Sequence, residues 1–527
     1  MLWRAVSPGG TISFGPLRAV VEDRYYWERL AFTAGQAAAS TALAVLAGLP
    51  AAYVFAKMRF PLRGLLLALV TVPFVLPTLV VALAFQQLVG PDGWLNDLLD
   101  LMGLDPVRPI GTVWIILAAH VFYNVSIVIR LVSGVWTNLD PRTEEAARIL
   151  GGGPWATFRA VTLPALVPAI LSAAALVFTF TFTSFGVVLV LGGGNPGLDT
   201  IEVVIYRLAT RLVELPAAAF VSLIQIVATI AALTIYALLQ RGASRSLTLR
   251  GERSKRLRDA NWGQRLFTLF IVAALGLFIV TPMVALVHGA VTVGASDLVT
   301  GENFARLFED TGRVSFVPPL DAIRWSLTFA AGSAAIAMVV GLASATAIAR
   351  SRWPLGAIAD GLLMLPLVVS PVVLGFGYLI TFNRDPYDLR GSPWLVLAVH
   401  SLVAYPFVVR SVLSTLRAID PHVPEAARML GASSWTVWRR IEFPIVRRAL
   451  LAGAVFAFAV SLGEFGATVL LQRREFATMP VAIFEALGRP GIANLGRALA
   501  MATLLMAVTA TAFLLIERLR YRDAGGF

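Results

Sequence analysis

The sequence predicts an all-α integral membrane protein built from two tandem halves that repeat one another in the same orientation. Three observations carry that expectation. The 527 residues are 58% hydrophobic and only 14% charged, with a mean hydropathy of +0.78, whereas soluble domains carry about 25% charged residues. Apolar runs recur that reach the roughly 20 residues needed to cross a hydrocarbon core; their period is helical, and few alternate as barrel strands do. A polar stretch then occurs twice, as LDPRTEEAARILGGGPWATFRAVTLPAL at 139–166 and as IDPHVPEAARMLGASSWTVWRRIEFPIV at 419–446. The copies lie 280 positions apart, align without a gap and share 11 of 28 residues, among them Glu145/Glu425, Arg148/Arg428, Gly151/Gly431, Trp155/Trp435 and Pro164/Pro444.

The apolar runs place about eleven spans. Five fall in a first half, 1–240, at 29–56, 64–90, 111–135, 163–192 and 215–240. Six fall in a second half, 264–527, at 264–290, 323–349, 356–382, 393–416, 446–471 and 493–516. Between them, 241–263 is basic and rich in Gly and Ser, the composition of a solvated cytoplasmic linker. With the two polar stretches inside, the inner segments hold 27 Lys+Arg against 11 Asp+Glu and the outer ones 16 against 20. Basic residues gather on the cytoplasmic side, so the N-terminus is expected outside and the C-terminus inside. The same rule accounts for the net charge of +12 through the lipid bilayer, with no call on nucleic acid. Cysteine is absent, which excludes disulfides, thiol catalysis and Cys-ligated metal.

The repeat extends beyond the polar stretch. GLPAAYVFAKMRFPLRG from Gly48 matches GLASATAIARSRWPLGA from Gly341 at an offset of 293, and Pro73 matches Pro366. His120, Arg130 and Phe185-Gly186 match His400, Arg410 and Phe465-Gly466 at 280. A parallel repeat of this kind carries a pseudo-twofold axis along the membrane normal. The first half is one span shorter, so a further helix upstream of Met1 is expected. MLWRAVSPGG lacks the apolar core of a signal peptide.

Each polar stretch reads as a compact helix–turn–helix. Asp140-Pro141 and Asp420-Pro421 suit a helix start, with Asp as cap and Pro at the first position; in the second copy Pro424 offers an alternative start. Gly151 and Gly431 suit a left-handed stop. A second amphipathic segment bears Trp155 or Trp435, and Leu163-Pro164 or Phe443-Pro444 turns the chain into the next span. Glu145, Ala146, Ala147, Arg148 and Gly151, with Glu425, Ala426, Ala427, Arg428 and Gly431, form the candidate docking set. Small alanines permit close approach, and Glu and Arg offer charge-assisted hydrogen bonds. One amphipathic interfacial loop would explain a single copy; a gapless second copy argues for a partner with two equivalent pockets.

Glu-Ala-Ala, Gly and Val/Ile-x-Leu/Phe-Pro at these spacings resemble the EAA loop of permease subunits in binding-protein-dependent ABC importers. The resemblance covers nearly the whole chain, and two loops in one chain are similar to the fused subclass. It implies an inner-membrane, multi-pass transport subunit, docked by two copies of an ABC ATPase and supplied by an extracytoplasmic substrate-binding protein. The pattern G-x-x-x-x-G-K-[ST] is absent, so the chain is expected to be no enzyme and to bind no cofactor, with ATP used by the partner. The segments TVPFVLPTLVVALAF from Thr71, DTIEVVIYRLA from Asp199 and FGATVLLQRREFATMPVAIFEALGRPG from Phe465 resemble thiamine permeases. Ferric-iron permeases of the same fused type are the alternative, and an ion-coupled secondary transporter is the alternative of another class.

For a substrate pathway the residues themselves offer Glu464, an ionisable group within a span, Ser184 at the matching place, and His120, Asn124 and His400. A carboxylate would attract a cationic substrate; hydrogen bonding between helices is the competing role of the histidines. Tyr206 and Phe484 sit in matching outer segments. With four histidines and no cysteine, no spacing of metal ligands emerges.

Overall fold

The computed structural model describes residues 15–243, 255–293, 298–309, 317–351, 355–383, 388–389 and 391–524. In the first half, helices α1 (Gly15–Glu22), α2 (Arg24–Lys57), α3 (Arg63–Val75), α4 (Thr78–Val89), α5 (Trp94–Leu101) and α6 (Val113–Thr137) lead to α7 (Pro141–Ile149). Then follow α8 (Pro154–Phe182), α9 (Gly186–Leu191), α10 (Ile201–Thr210) and α11 (Leu215–Ala243). The second half contains α12 (Trp262–Val291), α13 (Pro319–Arg350), α14 (Leu355–Val368), α15 (Pro371–Thr381), α16 (Pro393–Ala418) and α17 (His422–Met429). It closes with α18 (Ser434–Leu462), α19 (Thr468–Leu471), α20 (Met479–Leu487) and α21 (Ile492–Ala524).

Among the described residues nine helices are long and apolar enough to cross a membrane, or eleven if each of two bent pairs forms one span. The spans expected at 64–90 and 356–382 are the two bent pairs. Arg63–Val75 and Thr78–Leu101 meet at 108°, and Ala359–Pro366 and Pro371–Thr381 at 88°. Proline removes a backbone donor and clashes with the preceding turn; Pro73 and Pro77 flank the first bend, Pro366 and Pro371 the second. The spans expected at 163–192 and 446–471 are also interrupted. Helix α8 stops at Phe182 and α18 at Leu462, and three or more non-helical residues precede α9 and α19.

The repeat is visible in the packing. Ala44, Ala52, Val128, Val132 and Leu166 share one buried cluster; Ala337, Ala345, Val408, Val412 and Val446, the same positions of the repeat, share another. Glycine sets the helix separation in both. A Cβ on Gly48 would meet Val128 Cβ at 2.7 Å, and one on Gly341 would meet Val408 Cγ1 at 2.7 Å. We expect Gly341→Val to cost about 1–3 kcal/mol through overpacking, read as a fall in the thermal midpoint of the detergent-solubilised chain, with Val408→Ala restoring part of it.

Helices of the two sequence halves, 1–240 and 264–527, pack on one another. Helix α12 lies against α4, α2 and α3 of the first half and against α21, and the largest buried cluster mixes residues of both halves. Of the expected linker 241–263, residues 244–254 lie outside the described ones, as do 1–14, where the upstream helix would attach. The linker's end is built: Met58 and Arg59 pair in parallel with Lys255 and Arg256, and Asn261 with Gln264 forms a reciprocal cap on α12.

Candidate functional site

The two polar stretches fold alike. Asp140 Oδ1 accepts from Arg142 N at 3.0 Å, with Pro141 opening α7. In the second copy α17 begins at His422, and Pro424 lies inside its first turn. Asp420 Oδ1 accepts there from His422 N at 3.0 Å and bonds the ring at 2.8 Å; these bonds, the backbone one foremost, hold its carboxyl below the ordinary aspartate range. Both helices end as expected. Gly151 has φ +88° and Gly431 φ +86°, and Gly152 N and Ala432 N return to Ala147 O and Ala427 O at 2.9 and 3.0 Å. The three glycines of the first copy therefore do not alter the backbone turn. The copies differ in the next cap, where Ser433 Oγ accepts from Thr436 N and Gly153 offers no side chain.

No turn separates the second segment from the span, contrary to expectation. Each continues into its long helix through one π-helical turn, Phe158–Thr162 and Trp438–Glu442. Leu163 N bonds Phe158 O and Phe443 N bonds Trp438 O. The wider turn lets Pro164 and Pro444 sit in the first turn of the span without breaking it.

Glu145, Ala146, Arg148 and Gly151 are exposed, with Ala147 half-buried; Glu425, Ala426, Arg428, Gly431 and Ala427 repeat the pattern. The chain places beside them an apolar knob that the motif alone did not flag. Ile149 and Leu150 are 85% and 88% exposed, Met429 and Leu430 88% and 89%. Two large apolar side chains before a stop glycine, in both copies of a polar helix, were the available signal. So prominent an apolar pair marks a contact surface.

Behind the loops the halves use different acids. Glu144 Oε2 lies 3.6 Å from Lys57 Nζ, and Glu144 Oε1 accepts from Thr162 at 2.9 Å. In the second half Arg350, equivalent to Lys57, pairs at 2.7 Å with Glu442, equivalent to Thr162. The position of Glu144 is held there by Pro424.

A cavity of about 290 Å³ lies between the halves, at the far ends of α8 and α18 from the loops. The helix breaks supply it: Leu76 and Thr78, Pro371 and Val372, Ser184–Gly186 and Gly463–Gly466 all line it. Phe74, Phe180, Phe407 and Phe456 form a ring wall, with Phe407–Phe456 centroids 4.8 Å apart. Of the expected pathway residues, Glu464, Ser184, His120 and Asn124 line this cavity. His400 is buried behind it, 1% exposed.

The histidines act as ties between segments. His120 bonds Ser40 Oγ at 3.0 Å and Ser184 Oγ at 2.9 Å. His400 bonds Ser461 Oγ and Thr468 Oγ1, both at 2.8 Å. Asn124 turns back to His120 O at 2.8 Å. Glu464 Oε1 accepts from Ala467 N at 2.9 Å and its Oε2 from Thr468 N at 3.0 Å. It thereby caps the start of α19 and brings its charge to the cavity wall.

Four rings cluster at the cavity, and two of them, Phe185 and Phe465, line it. Phe185 and Phe465, equivalent in the repeat, stack at 5.4 Å and 22°. Tyr206 packs on Phe185 and Phe484 on Phe465, each at 5.3 Å. Close by, Ser370 Oγ donates across the halves to Glu202 Oε2 at 2.6 Å. Among the described residues no group of three His, Cys, Asp or Glu could hold a metal ion.

Comparison with known proteins places residues 44–245 and 337–522 in the family described as "Binding-protein-dependent transport system inner membrane component". The thiamine transport system permease protein ThiP of Brucella abortus (strain 2308) is 30% identical over 471 residues, which cover 88% of this chain and 83% of that protein. ThiP of Salmonella typhimurium is 28% identical over 517 residues, 97% of this chain and 92% of its own. Among solved structures, a bacterial ABC transporter involved in the import of the acidic polysaccharide alginate matches 46% of this chain and 88% of its own at 16% identity, with a TM-score of 0.39.

Proposed function

The chain belongs to the family of binding-protein-dependent transport system inner membrane components, and from that premise we propose that it forms the membrane path of a thiamine importer. A multi-pass inner membrane permease of the ABC type is the shared ground; the substrate is our reading. The observation that carries it is the cavity between the halves. Its ring wall of Phe74, Phe180, Phe407 and Phe456 with the carboxylate of Glu464 suits a flat organic cation, which gains from aromatic faces and from a nearby negative charge. Ferric iron would ask for clustered oxygen or nitrogen ligands rather than phenyl rings. The thiamine permeases to which the chain is similar support the same substrate.

The loops supply the drive. Two copies of an ATPase dock on α7 and α17, with Ile149-Leu150 and Met429-Leu430 entering pockets and Glu145, Arg148, Glu425 and Arg428 fixing register. Loops and C-terminus lie on the cytoplasmic side; the four-ring closure faces outward, where the binding protein delivers substrate. The halves 1–240 and 264–527 rock about the axis. Closure of the ATPase pair draws the loops together and separates Phe185 from Phe465. ATP is consumed on the partner, and this chain binds no cofactor.

The test is uptake of labelled thiamine into proteoliposomes holding the chain, its ATPase and the cognate binding protein. ATP-dependent, saturable accumulation is expected. Accumulation of ferric iron instead, or uptake driven by an ion gradient without ATP, would sink the reading.

A further inference from the structure

Glu202 lies on α10, a ten-residue helix outside the spans, and is 0% exposed. Its oxygens accept from neutral donors alone. Gln225 Nε2, on α11, donates to Oε1. Ser370 Oγ, the cap of α15 in the other half, donates to Oε2 at 2.6 Å. No cation among the described residues pairs with it. Positions 215–240 of α11, and all of α15 and α19, carry no charged residue. Helix α2 meets α10 at Thr33, which bonds Ile201 N, and its Arg29 is turned to Pro196 O and Gly197 O. Arg207 of α10 pairs with Asp199, and Glu464, just before α19, is turned to Ala467 N and Thr468 N. The rings of Tyr206 and Tyr378 pack on Phe185 and Phe382. An ionised carboxylate so enclosed is costly, and a proton relieves the cost. Burial pushes the Glu202 carboxyl up to about 8, against the pull of its two hydrogen bonds. The acid proton has an acceptor ready: Gln225 Oε1 is buried with no partner, and rotation of the amide brings it to Glu202.

The repeat supplies an apolar counterpart. Positions 482, 505 and 77 match 202, 225 and 370, and they hold Ala482, Leu505 and Pro77. Helix α20 lies against α4 as α10 lies against α15. Of two equivalent crossings between the halves, one is therefore tied by a carboxyl group and the other is apolar. We propose that Glu202 is a positioning residue that ties the halves in the outwardly closed form and takes up one proton from the outside as they close. The tie presupposes the rocking of the halves put forward under the proposed function. Ser370 moves with the second half; when the halves part, Glu202 loses that donor, meets water and releases its proton. Proton affinity is thus higher in the closed form, so acid favours closure. That preference falls up to about tenfold per pH unit above the ordinary glutamate value, and is lost as the pH rises through the closed-form value of about 8.

The chain has no cysteine, so a pair introduced at Leu212 and Ile492, equivalent outer positions 62% and 60% exposed, takes spin labels alone. The labelled chain with its ATPase, in nanodiscs, is titrated with a non-hydrolysed ATP analogue. Electron double resonance reads the analogue concentration that half-opens the outer face, at about pH 6 and at about pH 8, within the linked range. Wild type should need more analogue at the lower pH. Glu202→Gln keeps a bond to each partner but cannot titrate, and should lose that difference. Ser370→Ala severs only the bond across the halves, and should open at about tenfold less analogue at either pH. A Glu202→Gln profile that follows wild type, or Ser370→Ala opening at the wild-type concentration, would overturn the inference and leave the rocking mechanism standing. A wild-type distance that never changes with the analogue would remove the rocking mechanism and the tie together. Substrate is absent throughout, so a cargo other than thiamine leaves the result unchanged.

Discussion

Replacing Glu145 and Glu425 together by arginine abolishes ATP-driven uptake and strips the ATPase from the purified complex. Both carboxylates are exposed, so they are free to meet a partner. Each sits one turn before an apolar pair that is at least 85% exposed. A buried interfacial charge pair costs about 2–5 kcal/mol when one member is truncated. Reversal adds repulsion, and in the proposed complex two loops act on one bound pair of subunits. The expected loss is at least about 100-fold in uptake at fixed ATPase concentration, read beside the fraction of ATPase that co-elutes. The fold is unaffected, because neither carboxylate touches the spans. The variant's spectrum and elution should match wild type. An ATPase that still co-elutes at full stoichiometry would refute the docking assignment of both loops.

Phe185→Ala with Phe465→Ala uncouples hydrolysis from transport. The closure rests on one stacked pair and two flanking pairs. Each aromatic pair contributes about 0.5–1.5 kcal/mol beyond its buried area. Both rings are nearly inaccessible, 5% and 2% exposed, so truncation also forfeits their burial. In the proposed mechanism these contacts belong to the outwardly closed state, and their loss shifts the balance toward opening. In the proposed mechanism, opening outside and closure of the ATPase pair are coupled in both directions. Basal hydrolysis without binding protein should therefore rise about tenfold, the shift given by roughly 1.4 kcal/mol, while ATP-driven uptake falls. Truncating Phe407 and Phe456, which line the cavity but lie outside the closure, should raise the transport KM and leave basal hydrolysis unchanged. Unchanged basal hydrolysis in Phe185→Ala/Phe465→Ala would show that the stack closes nothing.

Hydropathy and the repeated stretch made the helical architecture and the fold of the two polar loops legible, because both are local properties of the chain. Glycine at 151 and 431 announced the left-handed stop, and Asp140 its cap. The bends at Pro77 and Pro371 were harder to see. Apolar composition continues across each bend, and only packing against the other half decides whether a proline kinks a span or folds it back. The same holds for the ends of α8 and α18. Glu464 stood out as a charge within a span, yet its two backbone amide partners appear only once α18 has ended. Phe185 and Phe465 matched as a dipeptide in the repeat, but a stack across an axis has no trace in a linear pattern. Glu202 gave no sign at all: a carboxylate without a cation is a property of its surroundings, not of its residue type.

The exchange of acids behind the loops limits which pieces of the two halves are interchangeable parts. Lys57 pairs with Glu144, which Thr162 also bonds; Arg350 pairs with Glu442, with Pro424 at the place of Glu144. Grafting the second docking helix alone onto the first half would bring Pro424 beside Thr162 and remove the loop carboxylate from that site. The reverse graft would crowd Glu144 against Glu442, two acids sharing one arginine. The smallest portable module is therefore the docking helix together with its π turn, roughly the whole repeated stretch. The two halves share one blueprint but carry their single acid on different segments, the docking helix in the first and the π turn in the second.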